Sequence, residues 1–312
     1  MERIKFLTAR LQTENTLLST MAIMGAVVLW GGSFVAMRVT VTAIGPMAVM
    51  WCRMMIALVL ILPFWKSLVP ASAYRSGDWK LLVPMVLFQP CLYFLLESNA
   101  LQFTTSSQAG VISASVPILV TLGAALFLYE AMSLMTMAGI ALSITGVVML
   151  TLAAGPQGSG QNPLLGNMLE LLAMICAAGN MLIIKRLSDR YNPWGLTAMQ
   201  IVAGAIFFIP GAFFLHRIPL EKVSLSLVLC LVFLGGFVTF GAFGLYNWGI
   251  SQIKVAKASS FINLIPVVAV FLGWAILGES LSLLQGLAAC AVIAGVILTQ
   301  KKESIRNPGQ QQ

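Results

Sequence analysis

Apolar residues along this chain fall into ten blocks of about twenty, separated by short polar links. The blocks cover residues 17–37, 46–65, 79–101, 105–128, 132–152, 164–184, 195–215, 224–250, 257–278 and 281–300. An α-helix needs roughly 20 apolar residues to cross the hydrocarbon core of a bilayer, so each block predicts one membrane-spanning helix. Most of the links are too short to hold a soluble domain. The first block is too long for the apolar stretch of a signal peptide, and nine more follow, so it is read as retained.

Composition agrees with that pattern. The chain has 312 residues, 59% hydrophobic and 9% charged, with a mean hydropathy of +0.93. Soluble domains carry about a quarter charged residues, so a soluble fold, a disordered chain, a disulfide-stapled secreted module and a nucleic-acid-binding domain are all excluded. The net charge of +8 sits where topology uses it. With both termini cytoplasmic, the inner segments hold Arg3, Lys5, Arg10, Lys66, Arg75, Lys80, Lys185, Arg186, Arg190, Lys254, Lys257, Lys301, Lys302 and Arg306. The outer segments hold only Arg38, Arg217 and Lys222. That asymmetry follows the positive-inside rule and predicts a multi-pass membrane protein with both termini cytoplasmic.

Residues 1–16 read as a cytoplasmic segment, either a short helix on the membrane surface, with Ile4, Leu7 and Leu11 on one stripe, or a frayed tail. A Gly/Ser/Gln/Pro run at 155–163 falls in a linker, 153–163, that divides two halves, 17–152 and 164–300; residues 301–312 form a cytoplasmic tail. Cys52, Cys91, Cys176, Cys230 and Cys290 all lie in apolar blocks with no metal-binding spacing, and read as packing residues.

The halves are repeats. At an offset of 149, Pro117 falls on Pro266, Leu128 on Leu277, Glu130 on Glu279, Ser133 on Ser282, Leu134 on Leu283, Gly146 on Gly295 and Val147 on Val296. Upstream the offset is 147, where Arg53 meets Gln200 and Pro63 meets Pro210. Each half holds five blocks, and five is odd, so the halves enter the membrane in opposite orientations. The predicted fold is an all-α integral membrane protein of ten helices in two inverted five-helix repeats, an architecture of secondary transporters with the substrate site near the midplane.

The residues at this point resemble a known family. Trp30-Gly31-Gly32-Ser33-Phe34, an arginine in the second block (Arg53), and Asn99-Ala100-Leu101-Gln102-Phe103-Thr104 are similar to the EamA branch of the drug/metabolite transporter superfamily. So is the doubled ending, Pro117 to Leu128-Tyr129-Glu130 and Pro266 to Leu277-Gly278-Glu279, followed by Gly146 and Gly295. The resemblance spans roughly 20–300 and implies a ten-helix inner-membrane carrier that exports small metabolites, amino acids or toxic compounds. Glu97 and Glu170 depart from it, standing where the family generally has apolar or small residues.

Charges inside a bilayer are costly and are functional candidates by default. At about 1.5 Å per residue, Arg53 lies roughly 10 Å deep, Glu97 roughly 6 Å and Glu170 roughly 9 Å, all from the outer face. An arginine facing two carboxylates would keep them ionised. The trio is therefore either a coupling site, with Glu97 as proton carrier, or a static ion-pair network. Glu130 and Glu279 are read as structural, serving the start of the helix that follows each. Trp30, Ser33, Asn99, Asn180, Tyr246, Asn247 and Asn263, with Gln108, are further substrate-pathway candidates, though each could equally make an interhelical hydrogen bond. Pro117 and Pro266 are candidate hinges. The Gly139-x-x-x-Ser143 and Ala291-x-x-x-Gly295 spacings suit close packing of the fifth and tenth helices.

The predicted function is a secondary transporter, expected to export a small organic metabolite or amino-acid-like solute, with protons as the candidate coupling ion. Its partners are that solute and the lipid bilayer; no cofactor, metal site, catalytic residue or nucleic-acid partner is expected. An intramembrane enzyme is the alternative, but His216 is the one histidine and lies in an outer link, so neither an HExxH site nor a Ser–His pair can form within the bilayer. A channel-like facilitator is another, without a repeated filter loop to support it. There is no GxxxxGK[ST] motif for nucleotide-driven transport.

Overall fold

A computed structural model describes residues 2–68, 74–128, 134–153, 162–215, 223–253, 258–259 and 261–301, with only the backbone described for 2–16, 67, 124–128, 134, 136, 151, 296 and 299–301. The predicted linker run from 155 to 161, Glu130, His216, Lys254, Lys257 and the tail from 302 onward lie outside the described residues. So do the side chains of the N-terminal stripe.

Among the described residues every regular element is helical. Six helices are long and apolar enough to cross a membrane: α1 (Leu17–Ile44), α2 (Pro46–Phe64), α3 (Trp79–Phe103), α4 (Ser106–Gly123), α6 (Pro163–Leu187) and α8 (Leu225–Gln252). The other four predicted blocks hold α5 (Leu134–Leu152), α7 (Pro193–Phe207), α9 (Phe261–Leu277) and α10 (Leu283–Lys301), whose apolar stretches are shorter. Helix α1 is the continuation of a single helix, Glu2–Ile44.

Local sequence explains where helices stop and start. Between α1 and α2, Gly45 takes φ 81°, open to a residue without a Cβ, and Pro46 follows at the first helical turn where its missing N–H is not needed. Asn162 and Asn192 each precede a proline and cap α6 and α7 through their side-chain oxygens. Pro63 and Pro210, paired by the repeat, each mark a break, at the tight turn Leu62–Phe64 in α2 and just beyond Phe207 in α7.

The surface is apolar in a way water would not tolerate. Phe213 is 72% exposed and Leu225 75%, alongside Val59, Phe64, Met168, Phe271 and Trp274. Such a coat suits a surrounding of lipid tails. Polar side chains are buried instead, Arg53 and Glu170 among them.

Helix neighbours recur reciprocally between the halves. Helix α1 packs on α8 and α9, and its counterpart α6 packs on α3 and α4. Helices α4 and α9, α2 and α7, and α5 and α10 pair with their own counterparts. Single contacts repeat as well. A Cβ on Gly146 would lie 2.9 Å from the Ala288 carbonyl and 2.8 Å from the Val292 amide; one on Gly295 would lie 2.6 Å from the Gly139 carbonyl and 2.7 Å from the Ser143 amide. Subtracting 149 from 288 and 292 returns 139 and 143. Gly249 against the Ser19 carbonyl and Gly166 against the Ala100 carbonyl form a second such pair.

Candidate functional site

Two helices lose regular geometry halfway along, at equivalent places in the two halves. In α3 the segment Leu87–Leu92 is wound more widely than an α-helix, and Gln89 inside it is extended, at φ −146° and ψ 122°. Pro90 follows, with no N–H to offer the ladder. In α8 the wide segment is Phe233–Ala242. Widened turns free backbone groups and often mark functional sites.

Each wide segment is met by a polar side chain from the opposite half. The Arg53 Nε on α2 donates to the Thr239 hydroxyl, which itself donates to the Leu234 carbonyl at 2.8 Å. The Gln200 amide on α7 donates to the Gln89 carbonyl at 2.9 Å. Arg53 and Gln200 are the positions that coincide at offset 147, and Thr239 less 149 is Pro90, the neighbour of Gln89. The buried Gln89 carbonyl sits at this bend, and the Gln200 amide gives it a partner from the other half. Asn180 donates to the Gln89 side chain at 2.8 Å and accepts from Gln200 at 3.0 Å, while Asn247 donates to Thr197 at 2.9 Å and to Gln200 at 3.3 Å. Asn180 and Asn247 were readable as candidates. Gln89, Gln200, Thr197 and Thr239 were not, because a glutamine or threonine in an apolar block carries no signal until the bend beside it is known.

Beside this network is a cavity of about 40 Å³, lined among others by Trp30, Ser33, Gln89, Tyr93, Glu97 and Met174. It lies where α1, α3, α4, α6, α8 and α9 meet. Its rings Tyr93, Phe243 and Trp30 belong to a contiguous band with Phe94 and Tyr246: Tyr93 to Phe94 at 5.2 Å, Phe94 to Phe243 at 5.6 Å, Phe243 to Trp30 at 5.2 Å and Trp30 to Tyr246 at 4.6 Å. Glu97, 3% exposed, accepts from the Tyr93 hydroxyl at 2.5 Å. Arg53 is 1% exposed and stacks over Phe94, 4.1 Å from the ring centre. Glu170 is fully buried, and neither of its oxygens has a hydrogen-bond partner.

The charged trio is thus gathered but not in contact. Among the described residues no ion pair joins Arg53 to either carboxylate, and one guanidinium nitrogen is unpartnered. Arg53 and Glu97, and Glu97 and Glu170, lie within Coulombic range of each other. Arg53 turns to Thr239 and Phe94 instead, because the bend in α8 offers an acceptor and the ring a π face.

The remaining candidates separate. Ser33 lines the cavity but bonds its own helix at the Trp30 carbonyl, 2.7 Å away, and Asn99 likewise bonds Leu95 at 2.7 Å. The Trp30 indole N–H and the Asn263 side-chain oxygen are buried without partners, and Tyr246 reaches only the Met181 sulfur at 4.0 Å. Gln108 pairs with Asn167 and Thr104 between α4 and α6. Pro117 and Pro266 each stand second in a helical segment that begins after a break, Val116–Leu128 and Ile265–Leu277. Both prolines therefore lie at junctions between two stretches of helix.

Glu279 serves a different helix from the one expected. Its carboxylate accepts from the Ser106 and Ser107 amides at 3.0 and 2.9 Å and from their hydroxyls at 2.9 and 2.6 Å, capping α4. Helix α10 is capped by its own Ser282 and Gln285, a reciprocal pair that leaves Glu279 free to reach across. At the far end of the bundle from this cap, Asp78 ahead of α3 binds Arg190 at 2.5 Å and the Tyr191 hydroxyl at 2.6 Å in the turn after α6. The Tyr191 hydroxyl and Arg190 hold the Asp78 carboxyl down at about 2. Lys185 binds three carbonyls where α8 ends.

Comparison with known proteins places this geometry in context. The model of the EamA-like transporter family matches residues 17–152 and again 164–300. The chain is 29% identical to the uncharacterized transporter YetK of Bacillus subtilis, over 70% of this chain and 65% of that relative, a little under two thirds of its length. It is 28% identical to an uncharacterized transporter of Archaeoglobus fulgidus, over 88% of this chain and 96% of the other. A solved crystal structure shares the fold with a TM-score of 0.60, covering 90% of this chain and 95% of that chain at 18% identity.

Proposed function

The chain belongs to the EamA-like transporter family, and from that premise we propose that it is a secondary transporter exporting a small organic metabolite or amino-acid-like solute across the inner membrane in exchange for protons. The family and the names of the relatives point to transport rather than catalysis. In this reading the ten apolar helices all cross the bilayer, as two five-helix halves of opposite orientation with both termini cytoplasmic. The reciprocal contacts of Gly146 and Gly295 and the paired reach of Arg53 and Gln200 support it.

The observation that carries the proposal is the small cavity between the halves, lined by aromatic rings and by Glu97, with Arg53 and Glu170 buried within Coulombic range of that carboxyl group. An ionisable group inside a membrane is costly and a functional candidate by default, and Glu170 is buried without a hydrogen-bond partner. Helices broken at mid-length give two rigid halves a place to bend, so that the cavity opens to one side and then the other. Exchange follows if the outward and inward forms differ in their affinity for proton and solute.

Proteoliposomes test this. The wild type should exchange labelled for unlabelled solute across a panel of amino acids and small organic amines, and should accumulate solute when a pH gradient is imposed. Glu97→Gln keeps size and hydrogen-bonding capacity but cannot titrate; it should lose pH-driven uptake and retain exchange. Full pH-driven uptake in Glu97→Gln would remove Glu97 from the coupling step, and absence of exchange for every solute would remove the carrier reading itself.

A further inference from the structure

The interior holds one more carboxyl group than it holds cations, so one of them needs a proton or a cation from outside. Two carboxylates, Glu97 and Glu170, share the interior with one guanidinium, Arg53. Glu97 already has a partner in the Tyr93 hydroxyl at 2.5 Å and feels the Arg53 charge. Glu170 has neither a hydrogen bond nor an ion pair, although it is fully buried.

Helix register sets Glu170 at the end of the cavity wall, one turn beyond the residues that line it. Met174, Ala177 and Met181 line it, and Glu170 precedes them on α6 by one, two and three turns, so the four share a stripe. Helices α3 and α6 meet with Gly166 against Ala100 and Thr104. Following that antiparallel contact one turn further brings Glu170 opposite Glu97, itself part of the cavity wall. The other wall carries Tyr93, Phe243 and Trp30, against which Phe94 and Tyr246 stack from behind to complete an aromatic band. One ring of that band already holds a cation, the Arg53 guanidinium over Phe94.

A buried, unpartnered carboxylate beside ring faces and thioethers is the environment that receives an organic ammonium group. An anionic solute would meet carboxylate oxygens that offer it no donor. At 40 Å³ the cavity has room for about three waters, at roughly 10–15 Å³ each, which is the scale of an ammonium head with a short apolar stem.

We propose that the solute is a monocationic organic amine whose ammonium group binds at Glu170, between Glu97 and the aromatic band. This rests on the carrier reading and names its substrate class. One proton or one monocation satisfies the surplus carboxyl group, and the two compete for it. The groups that face Glu170 are Glu97 and Tyr93 from α3, with Arg53 from α2 behind them.

Isothermal titration of the purified, detergent-solubilised full chain tests the proposal with three probes of one size: propylammonium, propanol and propionate. Propylammonium should bind saturably, with propanol and propionate giving no saturable heat at the same concentrations. Glu170→Asp, which keeps the charge, should bind propylammonium within a few-fold of wild type. Glu170→Gln should bind it about tenfold or more weakly, the loss of one charge-assisted contact. Equal binding of propanol or propionate, no binding of propylammonium to wild type, or unchanged affinity in Glu170→Gln each overturns the proposal. The wild-type probe comparison stands even if a variant does not fold. Binding is read without movement, so saturable propylammonium binding together with failed exchange in proteoliposomes would leave the site intact and refute the carrier.

Discussion

Removing the Glu279 carboxylate should loosen the start of α4. Four donors converge on it, two backbone amides and two hydroxyls of Ser106 and Ser107. In Glu279→Ala the two hydroxyls can turn to other acceptors, but the amides belong to the first turn of a helix and have no partner within it. A polar space of about 380 Å³ lined by Arg38, Thr105 and Glu279 adjoins them, so water can reach the amides and the full cost of burying an orphaned donor does not apply. Charge-assisted bonds exchanged for water bonds come to about 2 kcal/mol in total. That corresponds to a fall in apparent melting temperature of about 4–8 °C. Thermal denaturation in detergent, followed by loss of the monodisperse peak in size exclusion, measures it. Glu279→Gln keeps one acceptor oxygen and should lose about half as much. If Glu279→Ala melts within about 1 °C of wild type, the cap carries no stability and the reasoning fails.

Two further outcomes follow from packing and from the Asp78 cluster. Gly146→Ala and Gly295→Ala each put a methyl within 2.9 Å of backbone atoms on the facing helix, so each should destabilise by about 1–3 kcal/mol; Gly286→Ala on the same helix as Gly295 meets nothing within 4 Å and should stabilise by up to about 1 kcal/mol. All three are read by the same denaturation assay, and equal effects would refute the close α5–α10 contact. The Asp78 carboxyl, held at about 2 against an ordinary 3.8, contributes stability that is complete above the unfolded value and is lost as pH falls through the folded one. The melting difference between wild type and Asp78→Asn should be constant above about pH 5 and shrink between about pH 4 and pH 2; a difference that persists unchanged at the acid end refutes the pairing with Tyr191 and Arg190.

Much of this protein can be read from its chain alone, because the information is local or repetitive. A helix in lipid is set by the length of an apolar run, since hydrocarbon offers no other partner for the backbone. Block edges read at 46, 164 and 195 fall within two residues of the helix starts at Pro46, Pro163 and Pro193, where a preceding glycine or asparagine sets the backbone shape. The repeat paired Arg53 with Gln200 and Gly146 with Gly295 before any contact was known, and each pair occupies equivalent surroundings in the two halves.

What only the folded arrangement decided depends on helix rotation and register. Three charges at similar depth do not say whether they touch. The bend at Thr239 and the ring of Phe94 drew Arg53 away from both carboxylates and left Glu170 without a partner. Gln89 and Gln200 became site residues because the bend at an extended residue within α3 sets a buried carbonyl where one amide reaches it. Glu279 caps α4 because the 278–282 turn falls beside Ser106 across the bundle. A sequence names which groups must find partners inside the membrane; which partner each one finds is a matter of angles between helices far apart in the chain.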